Sequence, residues 1–391
     1  MLITAARLFD GRALLRPARV LIQGERVIAA GDVEAPEGAT MIDFADATIL
    51  PGLIDCHVHL ADEGLPDGTV RDNESLALRT LRMADHARRT LEAGFTSVRD
   101  VGGRDHIEFG VRDAARKGLI RAPRMHLAGK IVSQTTAGAQ MWRGMYREAD
   151  GVWDAVKAVR EQVAAGADVI KVMATGAVLA PGHERPGAAQ LSVPELRAIV
   201  EAAHGLGLPV AAHAHGVDGI RAAVDAGVDT IEHGTHLHED REVARTMAKR
   251  GVFLVPTLKA LAYIASPPGP GVPEEIVAKA RERRADRDAT FRAAIEEGVP
   301  IAMGTDAATP FNRHGENAEE LALMAELGLT TERAIASATS VAARALHSAD
   351  VGEIAAGKYA DLAIWDGDPL ADIAVLRSPP RAVFLGGARV V

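Results

Sequence analysis

Six times along the middle of the chain, a helix-compatible segment runs to a glycine and then straight into a short apolar strand. The joints are Ala93-Gly94-Phe95, Ala165-Gly166-Ala167, Leu206-Gly207-Leu208, Ala226-Gly227-Val228, Arg250-Gly251-Val252 and Glu297-Gly298-Val299. A glycine there supplies the left-handed residue that ends a helix before the chain turns into a sheet. Two further strands are expected, near Leu53–Leu60 and near Arg124–Val132, which brings the strand count to eight. Alternating β and α units in that number predict an α/β fold, a parallel (β/α)8 TIM barrel whose site lies at the strand C-termini.

Residues able to hold a metal recur at those ends. His57 and His59 form His-X-His, and alternate residues of a strand point to one face, so both imidazoles can grip one ion. Lys171, His213, His233 and Asp306 each follow a short apolar strand in turn. Imidazole and carboxylate suit zinc and similar divalent ions. The ordered series predicts a metal-dependent hydrolase. In His213-Ala214-His215 both rings project to the same side, and spacing alone does not choose between them. Cys56 points away from His57 and reads as a small core residue.

The termini break the pattern. Residues 1–52 and 351–391 read as short strands separated by turns, and neither piece alone could bury one face of a sheet. They are expected to pair into one small β-sandwich domain beside a barrel spanning 53–350. The net charge of -9 disfavours nucleic acid or an anionic membrane surface as a partner. No apolar run reaches transmembrane length, arginines interrupt the first twenty residues, and the single cysteine cannot form an internal disulfide. A cytoplasmic enzyme acting on a small molecule is expected.

The runs Pro51-Gly52-Leu53-Ile54-Asp55-Cys56-His57-Val58-His59, Gly166-Ala167-Asp168-Val169-Ile170-Lys171, Thr230-Ile231-Glu232-His233-Gly234, Gly304-Thr305-Asp306 and Gly357-Lys358-Tyr359-Ala360-Asp361-Leu362 together resemble the amidohydrolase superfamily. The likeness is greatest to its prolidase-like and imidazolonepropionase-related branch. It implies a binuclear centre, most simply of zinc, in a homo-oligomer. Lys171, whose ammonium has no lone pair for a metal, would be carboxylated by CO2 so that the carbamate bridges the ions. His57 and His59 would hold one ion and His213 and His233 the other, with Asp306 on the first. A hydroxide between the ions would attack the amide, and Asp306 would pass its proton to the leaving amine. His215 would then face substrate, in a place where many relatives carry tyrosine. A Gly-Gly-His run found in relatives after strand three is replaced here by Thr135-Thr136-Ala137-Gly138-Ala139-Gln140.

The leading expectation is therefore cleavage of an amide in a dipeptide or N-acyl amino acid. Opening of a cyclic amide or lactone is the alternative. Mononuclear deamination is disfavoured, because His213 is followed by Ala214-His215-Gly216-Val217 and Lys171 is present. Gln134 and Lys130, on loops of the same face, are candidate substrate contacts, as are His183, His236, His238, His314, Lys259 and Arg313. His86, His106, His204 and His347 read as solvated helix residues. Loops 61–74, 129–149, 176–191 and 259–273 are expected to shape the leaving-group pocket.

Overall fold

The computed structural model describes residues 1–67, 70, 73–180 and 184–391. All six punctuating glycines have positive φ, from 72° at Gly298 to 104° at Gly166. Helix Val193–His204 also starts as its sequence dictates: Ser192 and Glu195 form a capping box, with proline in the first turn.

The parallel strands fall in two blocks. Leu53–Val58 pairs with Phe95–Asp100, which pairs with Arg124–Leu127. Ile170–Met173, Val210–Ala214, Thr230–His233 and Phe253–Val255 pair in order, in register Met173 to His213 and Ala214 to His233. Ile131–Ser133 and Tyr146–Glu148 extend this second block. The single strand expected at Arg124–Val132 is thus two strands in different sheets. Gly129, at φ 72°, turns the chain between them. The eighth expected strand is reduced to residues 300–303. Pro300 has no N–H to give, but its carbonyl accepts from Leu254 at 2.9 Å, and the Met303 carbonyl accepts from Cys56 at 2.9 Å.

Both termini contribute to one sheet. Thr48–Pro51 pairs antiparallel with Leu362–Trp365 and parallel with Arg7–Phe9. A second sheet holds Leu2–Thr4, Arg19–Gln23, Arg26–Ala30 and Met41–Asp43. Ile3, Val20 and Ile22 from one sheet and Leu8, Ile49 and Leu362 from the other share one buried apolar cluster. This layer is fastened to the parallel strands by Arg124. Its guanidinium carbon lies 3.5 Å from the Tyr359 ring centre, and it pairs with Asp361 at 2.7 Å. Arg26 covers the same ring at 3.8 Å. Among the described residues, no helix is long and apolar enough to cross a membrane.

Candidate metal centre

Strand ends bring the expected residues together. His57, His59, Lys171, His213, His215, His233 and Asp306 all line one cavity. Cys56 points the other way into the core, with its thiol against the Ala342 carbonyl, and burial pushes its pKa up.

Two of the seven depend on unusual backbone. Side chains of consecutive strand residues should diverge, yet Glu232 and His233 both face inward. His233 is left-handed, at φ 69°, and this rotates its ring into the cavity above Glu232. Asp306 is left-handed as well, at φ 56°. Its loop is pinned from below: Asn312 donates to the Thr305 and Asp306 carbonyls at 2.7 and 2.9 Å. Asp55, fully buried, accepts from the His57 and Thr305 amides, the Thr305 hydroxyl and the Asn317 amide at 2.6 to 3.1 Å. It locks the His-X-His strand to the Asp306 loop. Gly304 keeps these two in contact, since a Cβ there would stand 2.8 Å from that of His57.

Each imidazole has one nitrogen tied to the protein. His57 Nδ1 meets Glu232 Oε2 at 2.7 Å, His59 Nδ1 meets the Gly102 carbonyl at 3.0 Å, and His213 Nε2 meets the Gly176 carbonyl at 3.0 Å. These partners only accept, so the bonded nitrogens carry the hydrogen and the opposite nitrogens keep a lone pair. His233 and His215 bond through Nδ1 to the hydroxyls of Thr257 and Thr235, both at 2.7 Å. The opposite Nε2 atoms of His57 and His59 stand 3.5 and 3.3 Å from Asp306 Oδ1. Donor atoms of His57, His233 and Asp306 lie within 4.8 Å of one another, as do those of His213, His215 and His233. Preset lone pairs beside a carboxylate fit a divalent ion of the zinc type.

Burial holds His57, His213 and His233 well below the ordinary imidazole pKa, and the Lys171 charge adds to this in each. Burial also works to lower His59, but hydrogen bonding and charge from Asp306 raise it overall. Burial lowers Lys171 to about 8, with Arg99 reinforcing and Glu232 opposing. Neutral imidazole is the form a metal requires.

The cavity, about 1310 Å³ with its open mouth, has an apolar wall that includes Trp142, Met145, Tyr146, Met173, Leu261 and Ile264. Arg82 at its rim is paired with Glu74 at 2.8 Å, and Arg104 with Asp62 at 2.8 Å. The segment 129–149 that builds part of this wall contains two short strands and the helix Ala137–Met141.

Other candidates lie elsewhere. Gln134, Lys130, His236, His238 and Arg313 are not among the described residues lining the cavity, and His183 lies outside the described residues. Lys259 is on the helix Leu258–Ala265, where its ammonium is buried and donates to the Glu316 carbonyl at 2.8 Å. His86 and His314 are both buried and stack with centres 4.7 Å apart, bonding the carbonyls of Leu60 and Asp62. The expectation of a solvated His86 fails because helix Leu76–Glu92 turns Met83, His86 and Ala87 inward together. Sequence reading also passed over Asp55, Arg99 and Glu232, although a charge inside a buried strand was a usable signal for each.

The amidohydrolase family profile matches residues 48–390. An ochratoxinase of Aspergillus niger is 31% identical, with 97% of this chain and 83% of that protein covered. An imidazolonepropionase of Rhizorhabdus wittichii is 29% identical, covering 93% of this chain and 90% of its own length. A solved Xaa-Pro dipeptidase structure with bound methionine superposes with a TM-score of 0.90 at 34% identity, over 99% of this chain and 98% of that one.

Proposed function

The chain belongs to the amidohydrolase family, and on that premise we propose that it hydrolyses the amide of a small carboxylate-bearing substrate, such as a dipeptide or N-acyl amino acid. The observation that carries this reading is one cavity in which three histidines have an accepting partner on one nitrogen and a lone pair on the other. The Xaa-Pro dipeptidase and the ochratoxinase, both above 30% identity over nearly the whole chain, support the linear amide.

His57 and His59, whose Nε2 atoms both stand near Asp306 Oδ1, would hold one divalent ion with that carboxylate, and His213 and His233 a second, with Lys171 contributing as a carbamate; zinc suits the nitrogen-rich donor set. Bound there, the ions would supply a Lewis acid and a water acidified toward neutral pH. Asp306 is the proton carrier: its carboxylate receives the proton of the attacking water and returns it to the leaving nitrogen. His215 anchors the substrate through Nε2, because Thr235 occupies its Nδ1. The apolar wall excludes water from the reacting face and seats the uncharged part of the substrate.

We further read the two parallel blocks as one (β/α)8 barrel over 53–350, with 1–52 and 351–391 forming a β-sandwich domain. Supporting closure, residues 300–303 are hydrogen bonded on both sides, and Asp168 N donates to the Leu127 carbonyl at 2.8 Å across the other seam. We also infer a homo-oligomer acting in the cytoplasm, the first to be checked by sedimentation.

Ring opening is the second reading, favoured by the imidazolonepropionase relative. Amine release from dipeptides and N-acyl amino acids by zinc-loaded protein, run beside lactams and lactones, separates the two. Turnover confined to the rings would overturn the first reading.

A further inference from the structure

Arg99 is 1% exposed in the strand Phe95–Asp100 and is not among the residues lining the cavity. Its guanidinium nevertheless ties three strands together. Nε donates to the Cys56 carbonyl at 2.6 Å, Nη1 to Thr230 Oγ1 at 3.1 Å and Nη2 to Glu232 Oε1 at 2.7 Å. The other carboxylate oxygen, Oε2, is the partner of His57 Nδ1. We propose that Arg99 is a positioning residue: acting through Glu232, it dictates which nitrogen of His57 carries the hydrogen and which keeps its lone pair for the metal centre, and so sets how tightly the centre holds its ion. The proposal rests on the reading of His57 as a ligand.

The argument is one of donors and acceptors. A guanidinium can only donate, so whatever stands at Oε1 of residue 232 must accept. With glutamate both oxygens accept, His57 carries its hydrogen on Nδ1, and the Nε2 lone pair is directed toward the site beside Asp306. With an isosteric glutamine, Arg99 claims the only oxygen and the NH2 group faces His57. Nδ1 must then accept, the imidazole hydrogen moves to Nε2, and the lone pair is lost from the side where an ion would sit. Volume is unchanged, so packing alone would forecast no effect. Arg99 also balances the Glu232 carboxylate, which is fully buried and would otherwise be an uncompensated interior charge.

The test measures zinc affinity by chelator competition on metal-stripped protein, with circular dichroism to confirm the fold. Glu232→Gln is expected to bind zinc about 10- to 100-fold more weakly, the range for loss of a group that orients a metal-bound histidine. Pairing it with Arg99→Met removes the one donor that cannot also accept, because the Thr230 hydroxyl, which also meets Oε1, can accept from an amide NH2 once Arg99 no longer donates to it. The amide can then turn its oxygen to His57, and much of the affinity should return. Arg99→Lys alone keeps the charge but not the fork, and is expected to weaken zinc binding with little change in the melting temperature of the stripped protein. Wild-type zinc affinity in folded Glu232→Gln would overturn the proposal. So would a double variant no tighter than the single one, or unchanged affinity in Arg99→Lys. A wild-type protein that takes up no zinc would sink this proposal and the ligand reading together; zinc uptake indifferent to these substitutions would sink this proposal alone.

Discussion

Asp306 Oδ1 lies 3.3 Å from Nε2 of His59, between two segments that also pair through their backbones, the Asp306 amide donating to the His57 carbonyl at 2.7 Å. If Asp306 carries the reaction's proton, Asp306→Asn should lower kcat by about 10²- to 10⁴-fold in protein with its full complement of zinc. Metal content measured on the same sample separates lost proton transfer from lost metal. Near-normal turnover in a fully loaded variant would remove Asp306 from this role.

His215 is buried, and burial drives its pKa down to about 3, so the imidazole proposed to meet substrate is neutral. His215→Ala should raise KM for carboxylate-bearing substrates about 10- to 100-fold, the worth of one hydrogen bond to a charged group. Matched substrates with the carboxylate amidated should be affected much less. An equal loss on both series would place His215 among the metal's partners.

Lys171 has its pKa lowered to about 8, and only the neutral amine reacts with CO2. The neutral fraction rises with pH through that value, so bicarbonate-dependent zinc uptake by stripped protein should increase between about pH 6.5 and 8.5. Identical uptake with and without bicarbonate, in buffers freed of CO2, would argue against a carbamate.

Glu108 is fully buried and, among the described residues, no other residue gives its carboxyl oxygens a hydrogen bond; burial, aided by the Asp100 charge, raises its pKa to about 8. A raised carboxyl pKa means that the folded protein binds the proton more tightly than the unfolded chain. Stability from this group is therefore present below its ordinary pKa and is lost as pH climbs to about 8. The stability of Glu108→Gln relative to wild type should accordingly improve across that window, by roughly a few kcal/mol. Urea midpoints at pH 5 and pH 9 provide the comparison, and a flat difference would contradict it.

Asp361 accepts from Arg124 at 2.7 and 3.1 Å and from the Gly386 amide at 2.7 Å. Asp361→Ala should cost about 2 kcal/mol of stability and leave kcat close to wild type, because it breaks a partly buried ion pair neither of whose members lines the cavity. A large fall in kcat at unchanged melting temperature would connect this fastening to the chemistry.

Much of the architecture was legible because its signals are local. A glycine at the end of each helical run needs only its neighbours to be recognised, and all six have positive φ. His57 and His59 are paired by strand alternation alone. The gap lies where distant segments decide. Glu232 and Arg99 come from different strands and show their purpose only when His57 stands between them and the cavity. His233 owes its direction to a left-handed backbone that no propensity predicts for histidine. His86 and His314 look solvated or loop-borne one at a time, and only the packed helix face that turns His86 inward brings them into a stacked pair. The strand Tyr146–Glu148 has no apolar run of its own and exists because Ile131–Ser133 offers it an edge.

The strand that carries His57 begins directly after Thr48–Pro51, whose antiparallel partner is Leu362–Trp365. Within that strand, the Ile54 and Cys56 amides donate to the carbonyls of Ala338 and Met303. Its neighbours on that side therefore come from segments far downstream of it in the sequence. While the chain is being made, the first two histidines have emerged but have nothing to hold them, and closing so long a loop is slow. The site therefore cannot come together from its first two histidines alone: it assembles only when these later segments close onto the strand that carries them.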